Sequence, residues 1–280
     1  MTPELSPQVF AILASLIEER TGIHYNPEDR GLLGDKLMAR LPEVGFDSFL
    51  DYYYFLRYDP AGLAEMDALI DSIVVGETYL FREYDQLRFM VDELVMPQVA
   101  AGRRPRIWSA ACATGEEPYT VAILLDRRGA LDRVDLVASD ISPRALERAR
   151  RGLLQRRALR HQPPVDVSGC WTERPGGTLE LSPHLREAVD WRRVNLTDER
   201  QIAGLGRFDI VLCRNVLLYF APDMRRLAFN RLADACHPDG TLMLGAGETV
   251  IGQTDRFVSD PDCRGLYLPT PPREAQARVA

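Results

Sequence analysis

The 280-residue sequence is poor in the side chains that build metal centres and disulfides, with only five cysteines and four histidines. Cys112, Cys170, Cys213, Cys236 and Cys263 include no C-x-x-C pair, and an odd count points to reduced thiols. His24, His161, His184 and His237 stand far apart, which argues against a metal site. No apolar run approaches the roughly 20 residues of a membrane span. Residues 1–10 lack a basic stretch followed by a hydrophobic one, so a cytoplasmic address is expected. A net charge of −7 removes the basic excess of a general nucleic-acid binder, although local basic faces remain possible. A Walker loop and a Ser-His-Asp set are also missing, and so is the Gly-x-Gly-x-x-Gly fingerprint of a dinucleotide site. What is present is ordinary: 46% hydrophobic and 27% charged residues, enough for a real core in one large domain or two smaller ones.

The informative stretch is Arg106 to Thr120, reading RIWSAACATGEEPYT. Ile107 to Ala111 is apolar enough for a short buried strand, and the small residues up to Gly115 suggest a tight turn into a helix carrying Val121, Ala122, Leu124 and Leu125. Strand, glycine turn and helix form a cradle for a nucleotide-like cofactor. The one turn glycine, expected to let the backbone approach a ligand, is too few for a pyrophosphate grip. Glu116 and Glu117 stand where a phosphate would go and would repel it. The next apolar strand, Val134 to Ala138, runs into Ser139-Asp140, an acid placed to accept both hydroxyls of a ribose. An adenosine bearing a cationic sulfonium, S-adenosyl-L-methionine, satisfies all three features. Acids that merely favour a helix dipole would look the same locally.

Around this centre the chain divides. Residues 1–75 give four helical patterns: from Ser6-Pro7 to Gly22, from Asn26-Pro27 to Pro42, one capped by Asp47, and one over about 60–75. Alternating strands and helices from 84 onwards predict parallel pairing by right-handed crossovers. Residues 153–187 break the rhythm with prolines, Gly176-Gly177 and an alternating run at Thr178 to Leu181, the marks of an insertion with a hairpin. Strands follow at Val189 to Val194, Phe208 to Cys213 and Thr241 to Leu244. A turn is expected at His237-Pro238-Asp239-Gly240, two strand-like pieces near Phe257 and Leu266 to Leu268, and a disordered tail over 270–280.

IWSAACATGEEPYT, with VVGETYLFRE before it and VASDIS and FDIVLCRNVLLYF after it, closely resembles the CheR family of chemotaxis receptor methyltransferases. The resemblance implies a Rossmann-like class I S-adenosylmethionine-dependent methyltransferase sheet, an N-terminal all-helical domain at 1–75, a linker at 76–83 covering the cofactor, and a catalytic domain at 84–280 with a small β-subdomain at 153–187. In some members that subdomain binds a receptor's C-terminal pentapeptide by adding a strand to its edge. The family's Asn-x-Thr-x-x-x-Arg linker pattern maps onto Thr78 and Arg82, with Gly76 replacing the asparagine. Arg82 would pair with the methionine carboxylate. Asn195 and Leu196 would flank the adenine, and Asn215 and Val216 would line the methionine side. Glu117 and Asp140 complete the set. Gly245-Ala246-Gly247-Glu248 departs from the family's Gly-His-Ser-Glu.

The resemblance implies methyl ester formation on glutamates of receptor cytoplasmic helices, with S-adenosyl-L-homocysteine as the second product. A glutamate is already anionic at neutral pH and needs no general base. Tyr219 could orient the incoming carboxylate or pack on the core with a wet tip. Docking of the acidic receptor bundle would fall to basic residues of the helical domain, Arg30, Lys36, Arg40 and Arg57, with Lys36 and Arg40 as the foremost pair. A monomer without membrane insertion is expected. Two rivals stand beside this reading: a non-catalytic signalling scaffold that binds the same cofactor, and a nicotinamide dehydrogenase.

Overall fold

A computed structural model describes residues 4–261, 263 and 265–270. The chain forms two compact units. One comprises the residues up to Val75 together with Tyr219–Arg225, and the other holds Gly76–Leu218 and the residues from Arg226 on.

The helical unit opens with α1 (Pro7–Thr21), whose first turn is capped by the Ser6 side chain and whose end is closed by left-handed Gly22. Then come α2 (Arg30–Met38), α3 (Leu41–Val44), α4 (Phe49–Tyr58) and α5 (Gly62–Ile73). Leu13, Ile17, Leu33, Leu37, Tyr52 and Leu69 are fully buried at its centre. Two local expectations change. The second helical pattern breaks after Met38, and Pro42 lies in the first turn of α3, where a missing N–H costs nothing. Ser48, not Asp47, caps α4 by accepting from the Asp51 N–H.

In the larger unit α6 (Tyr84–Phe89) continues through a π-turn at Met90–Val95 into α7 (Met96–Ala100). The alternation follows: β1 (Arg106–Ala110), α8 (Glu116–Asp126), β2 (Asp135–Asp140) and α9 (Pro143–Arg151). The insertion supplies β3 (Leu153–Gln155), β4 (Trp171–Arg174), β5 (Thr178–Leu181) and α10 (Pro183–Glu187). The chain closes with β6 (Val189–Arg193), α11 (Glu199–Ala203), β7 (Phe208–Cys213), α12 (Pro222–Ala235), β8 (Cys236–Leu244), β9 (Phe257–Ser259) and β10 (Leu266–Pro269).

Seven strands form one sheet in the order β6-β2-β1-β7-β8-β10-β9. It is parallel from β6 to β8, with β10 antiparallel to both β8 and β9. Strand order reverses between β1 and β7, the place where open α/β sheets leave a crevice at their carboxyl ends. Trp108, stacked on Phe208 with centroids 5.5 Å apart, fills the space beneath that crevice. The insertion is a three-stranded antiparallel sheet in the order β3-β5-β4, one strand more than a hairpin. The turn expected at His237 to Gly240 lies instead within β8, whose pairing with β7 shifts register there. The expected tail beyond Thr270 lies outside the described residues.

Candidate functional site

The turn after β1 is backbone-strained. Ala111 and Ala113 adopt left-handed φ values of 58° and 49°, and Gly115 follows at 93°. Such strain persists only where surroundings hold it, and it clusters at functional sites. Here the holding groups belong to the end of β2. The Cys112 N–H donates to the Ser139 carbonyl at 2.9 Å, and the Ala113 N–H to Asp140 Oδ2 at 2.8 Å. The other Asp140 oxygen accepts the Ser142 N–H at 2.9 Å. Both carboxylate oxygens of Asp140 thus fix the loop. Gly115 takes the left-handed turn conformation and has a packing role besides. A Cβ there would lie 2.7 Å from the Trp191 ring and 3.0 Å from Ala149 Cβ, so the glycine permits close packing of protein on protein.

At the neighbouring strand end, the Val194 N–H donates to the Asp140 carbonyl at 3.1 Å, which brings Asn195 and Leu196 beside that acid. The Asn195 side chain accepts from the Thr197 N–H and hydroxyl, closing a local turn.

The carboxyl end of β7 holds the densest polar network. Arg214, its side chain 1% exposed, donates to Glu117 at 2.7 Å, to Glu83 at 2.9 Å and to the Arg82 carbonyl at 3.1 Å. Glu117 also accepts the Ser109 hydroxyl at 2.7 Å. Burial works against the Arg214 charge, but the two carboxylates outweigh it and hold the guanidinium firmly protonated. Its Nε–H is buried without an acceptor among the described residues.

Asn215 follows with φ 60°. Both oxygens of Glu248 are used to hold it: one accepts the N–H groups of Asn215 and Gly245, the other those of Val216 and Leu217. Burial pushes the Glu248 carboxyl up, and these N–H groups pull it back. Gly245 is required beside Asn215, because a Cβ would lie 2.4 Å from the amide nitrogen. Arg214, Glu83 and Glu248 were not among the residues singled out from sequence. The available signal was an arginine immediately after a fully buried strand, which demands acidic partners.

The linker is tied from both sides: the Phe81 N–H donates to Thr120 at 2.9 Å and the Leu80 N–H to the Ala158 carbonyl at 2.8 Å. Arg82 reaches the Glu77 carbonyl at 3.1 Å. Thr78 lines a cavity of about 500 Å³ with Thr114 and Glu116. Another, of about 1,020 Å³, opens at the amino ends of β1, β2 and β6, away from the crevice. Tyr219 groups with the helical unit, where its carbonyl accepts the His24 N–H at 2.8 Å; the other sequence-derived site residues all lie in the larger unit.

The basic residues expected to dock a receptor are largely committed to their own unit. Lys36 donates to the Ile73 carbonyl at 2.8 Å, closing the end of α5. Arg40 grips buried Glu65 at 2.9 and 2.6 Å, and Tyr52 donates to the same carboxylate at 2.6 Å. Arg57 pairs with Glu19. Reversing the charge of Lys36 and Arg40 would therefore disturb the helical unit instead of testing docking alone.

Glu116 is buried, and burial pushes its carboxyl up, partly offset by the hydroxyl of Thr114 donating at 2.7 Å. A raised acid favours the protonated form in the folded state. Its contribution to stability is thus present below the ordinary glutamate range and is lost as pH rises through the folded value. Glu116→Gln, neutral throughout, is expected to be more stable than wild type at pH 7, with the gap closing as pH falls below about 4. Thermal midpoints at the two pH values check this. Burial also raises the thiols of Cys112 and Cys213 far above their usual value, so neither supplies a thiolate nucleophile. No group of side chains able to hold a metal occurs among the described residues.

Comparison with known proteins gives matches to two family profiles. Residues 8–74 match "CheR methyltransferase, all-alpha domain" and residues 76–262 match "CheR methyltransferase, SAM binding domain". Chemotaxis protein methyltransferase 1 of Vibrio cholerae is 36% identical, covering 90% of this chain and 93% of that protein. Chemotaxis protein methyltransferase 2 of the same organism is 32% identical over 83% of this chain and 82% of its own length. The Escherichia coli chemotaxis protein methyltransferase is 31% identical over 90% and 88%.

Proposed function

The chain belongs to the CheR methyltransferase family of S-adenosylmethionine-dependent chemotaxis enzymes, and from that premise we propose that it esterifies glutamate side chains on the cytoplasmic helices of chemotaxis receptors, tuning their adaptation. The observation that carries this reading is the convergence of Asp140, the Glu117–Arg214–Glu83 network and the Glu248-held Asn215 loop at the carboxyl ends of β2, β1 and β7.

The residues fit the cofactor. Asp140 is a fixed acceptor for ribose hydroxyls, with Asn195 and Leu196 beside it for the adenine. Glu117, Asn215 and Val216 suit the methionine side, and the Arg82 guanidinium suits its carboxylate. Thr78 and Arg82 lie on the covering linker. When bound, S-adenosylmethionine supplies an electrophilic methyl group on a positive sulfonium.

What the chain contributes is position and exclusion of water. A glutamate carboxylate attacks as the anion it already is, so no base is needed. The tied linker keeps solvent out while opposite charges are lost to a neutral ester and thioether. The scaffold reading rests on Gly76 and Ala246. Neither breaks the network: Gly76 has open space around its Cβ position, and Ala246 serves through its backbone N–H, which donates to Glu83 at 3.2 Å.

Incubation with S-adenosylmethionine and a receptor's cytoplasmic helical fragment tests the proposal. A gain in fragment mass that alkali removes as methanol is the expected result. Cofactor binding without any gain, repeated across the host's own receptors, would favour the scaffold.

A further inference from the structure

Charge in this acidic protein is strongly segregated. Residues 144–160 hold seven arginines against one acid, Glu147, a local charge of +6 in a chain of net −7. The segment runs from α9 through β3 into the turn at Arg156–Ala158. Four of its arginines, Arg148, Arg151, Arg157 and Arg160, are exposed around the mouth of the 500 Å³ cavity whose wall includes Thr78 and Thr114.

Two of these four side chains are unspent. Arg151 has an exposed pairing with Glu147, and Arg160 pairs with Glu77 at 2.8 Å while lying 4.2 Å over the Tyr79 ring. Arg148 and Arg157 make no ion pair among the described residues; Arg157 only feels the field of Glu116. Lys36 and Arg40, by contrast, are tied to the Ile73 carbonyl and to buried Glu65 within the helical unit. Uncommitted guanidinium groups such as Arg148 and Arg157 attract and orient an anionic partner better than side chains already gripping their own carboxylates.

We propose that the arginine rim formed by Arg148, Arg151, Arg157 and Arg160 is a docking surface for the acidic polypeptide segment that bears the substrate glutamate, guiding it toward the Thr78–Thr114 wall. The inference rests on the reading of the protein as a glutamate methyltransferase and assigns the attraction to the larger unit. The cavity explains why the rim lies where it does: it shares Thr78, a residue of the covering linker, with the site of transfer. Glu77 offsets Arg160 and Glu147 offsets Arg151, while Glu116 is buried against Thr114, so the rim keeps the exposed charge of Arg148 and Arg157.

The test uses the full-length protein with Arg148→Glu and Arg157→Gln together, a choice that avoids placing a second carboxylate beside Glu116. Initial rates of methyl transfer to a receptor cytoplasmic helical fragment are measured in about 20 mM and about 500 mM salt, a range over which the Debye length shortens several-fold. The expected result is a tenfold or larger fall in kcat/KM at low salt, arising in KM, with kcat and cofactor affinity retained and the difference shrinking at high salt. A kcat/KM within twofold of wild type at low salt overturns the proposal, as does a loss confined to Arg30→Glu in the helical unit. Fluorescence anisotropy of the labelled fragment provides the second arm. Should wild type bind the fragment without methylating it and the variant fail to bind, the function reading falls and the docking surface stands. Absence of binding to wild type, or tighter binding to a DNA duplex than to the fragment, overturns the docking surface itself.

Discussion

Replacing Arg214 by methionine is expected to lower the thermal midpoint by about 10 °C and to remove measurable binding of S-adenosylmethionine. Methionine fills a similar volume, so the loss comes from charge and hydrogen bonds. Glu117 and Glu83, whose side chains are 14% and 21% exposed, lose their common partner, and the Arg82 carbonyl loses a donor. Removing one member of a buried ion pair costs about 3–5 kcal/mol. In a unit of this size each kcal/mol moves the midpoint by roughly 2–4 °C. Arg214→Lys should fall between the two, because an ammonium cannot span three acceptors held by a planar fork. Calorimetric cofactor binding beside a thermal scan makes the check. A midpoint within about 2 °C of wild type would mean that the carboxylates find other partners.

The second large effect is expected at Glu248. Each carboxylate oxygen accepts two N–H groups, and glutamine can replace only one of those oxygens. In Glu248→Gln the amide NH₂ then faces two backbone donors, leaving them unsatisfied at about 1–3 kcal/mol each. The Asn215 loop is left-handed and packed against Gly245, so it depends on this brace. Cofactor affinity should fall at least tenfold, with urea unfolding showing a loss of about 2 kcal/mol or more. Unchanged affinity in the glutamine variant would separate the brace from the site.

These two residues also mark where sequence reading reached its limit. Sheet strands, the crossover helices and the acid at the end of β2 were legible because apolar runs, caps and strand ends are local signals. The Arg214 partners lie 97 and 131 residues away in sequence, and Glu248 lies 33 from Asn215, distances at which side-chain pairing leaves no periodic trace. In the four-residue stretch ending in Glu248 the departures from the family pattern fall on Ala246 and Gly247, whereas Gly245 and Glu248 brace the Asn215 loop and Ala246 adds its backbone N–H. Lys36 and Arg40 show the same limit from the other side. Their i, i+4 spacing described one helix face correctly, but the Ile73 carbonyl and Glu65 that cover that face belong to another helix. Gly115 was recognised for its backbone freedom, while the ring of Trp191 that makes a Cβ impossible comes from β6.

The helical unit is discontinuous in the gene. Tyr219–Arg225 groups with it, and the Ile23–Phe220 bridge and the His24 N–H to Tyr219 carbonyl bond join the two pieces. A chimera that exchanged only the first 75 residues for those of a relative would bring a new surface to an old segment. Interchange between family members therefore requires that 219–225 travel with the amino-terminal helices. Recombination at one crossover cannot do this, so the two stretches are bound to evolve as one.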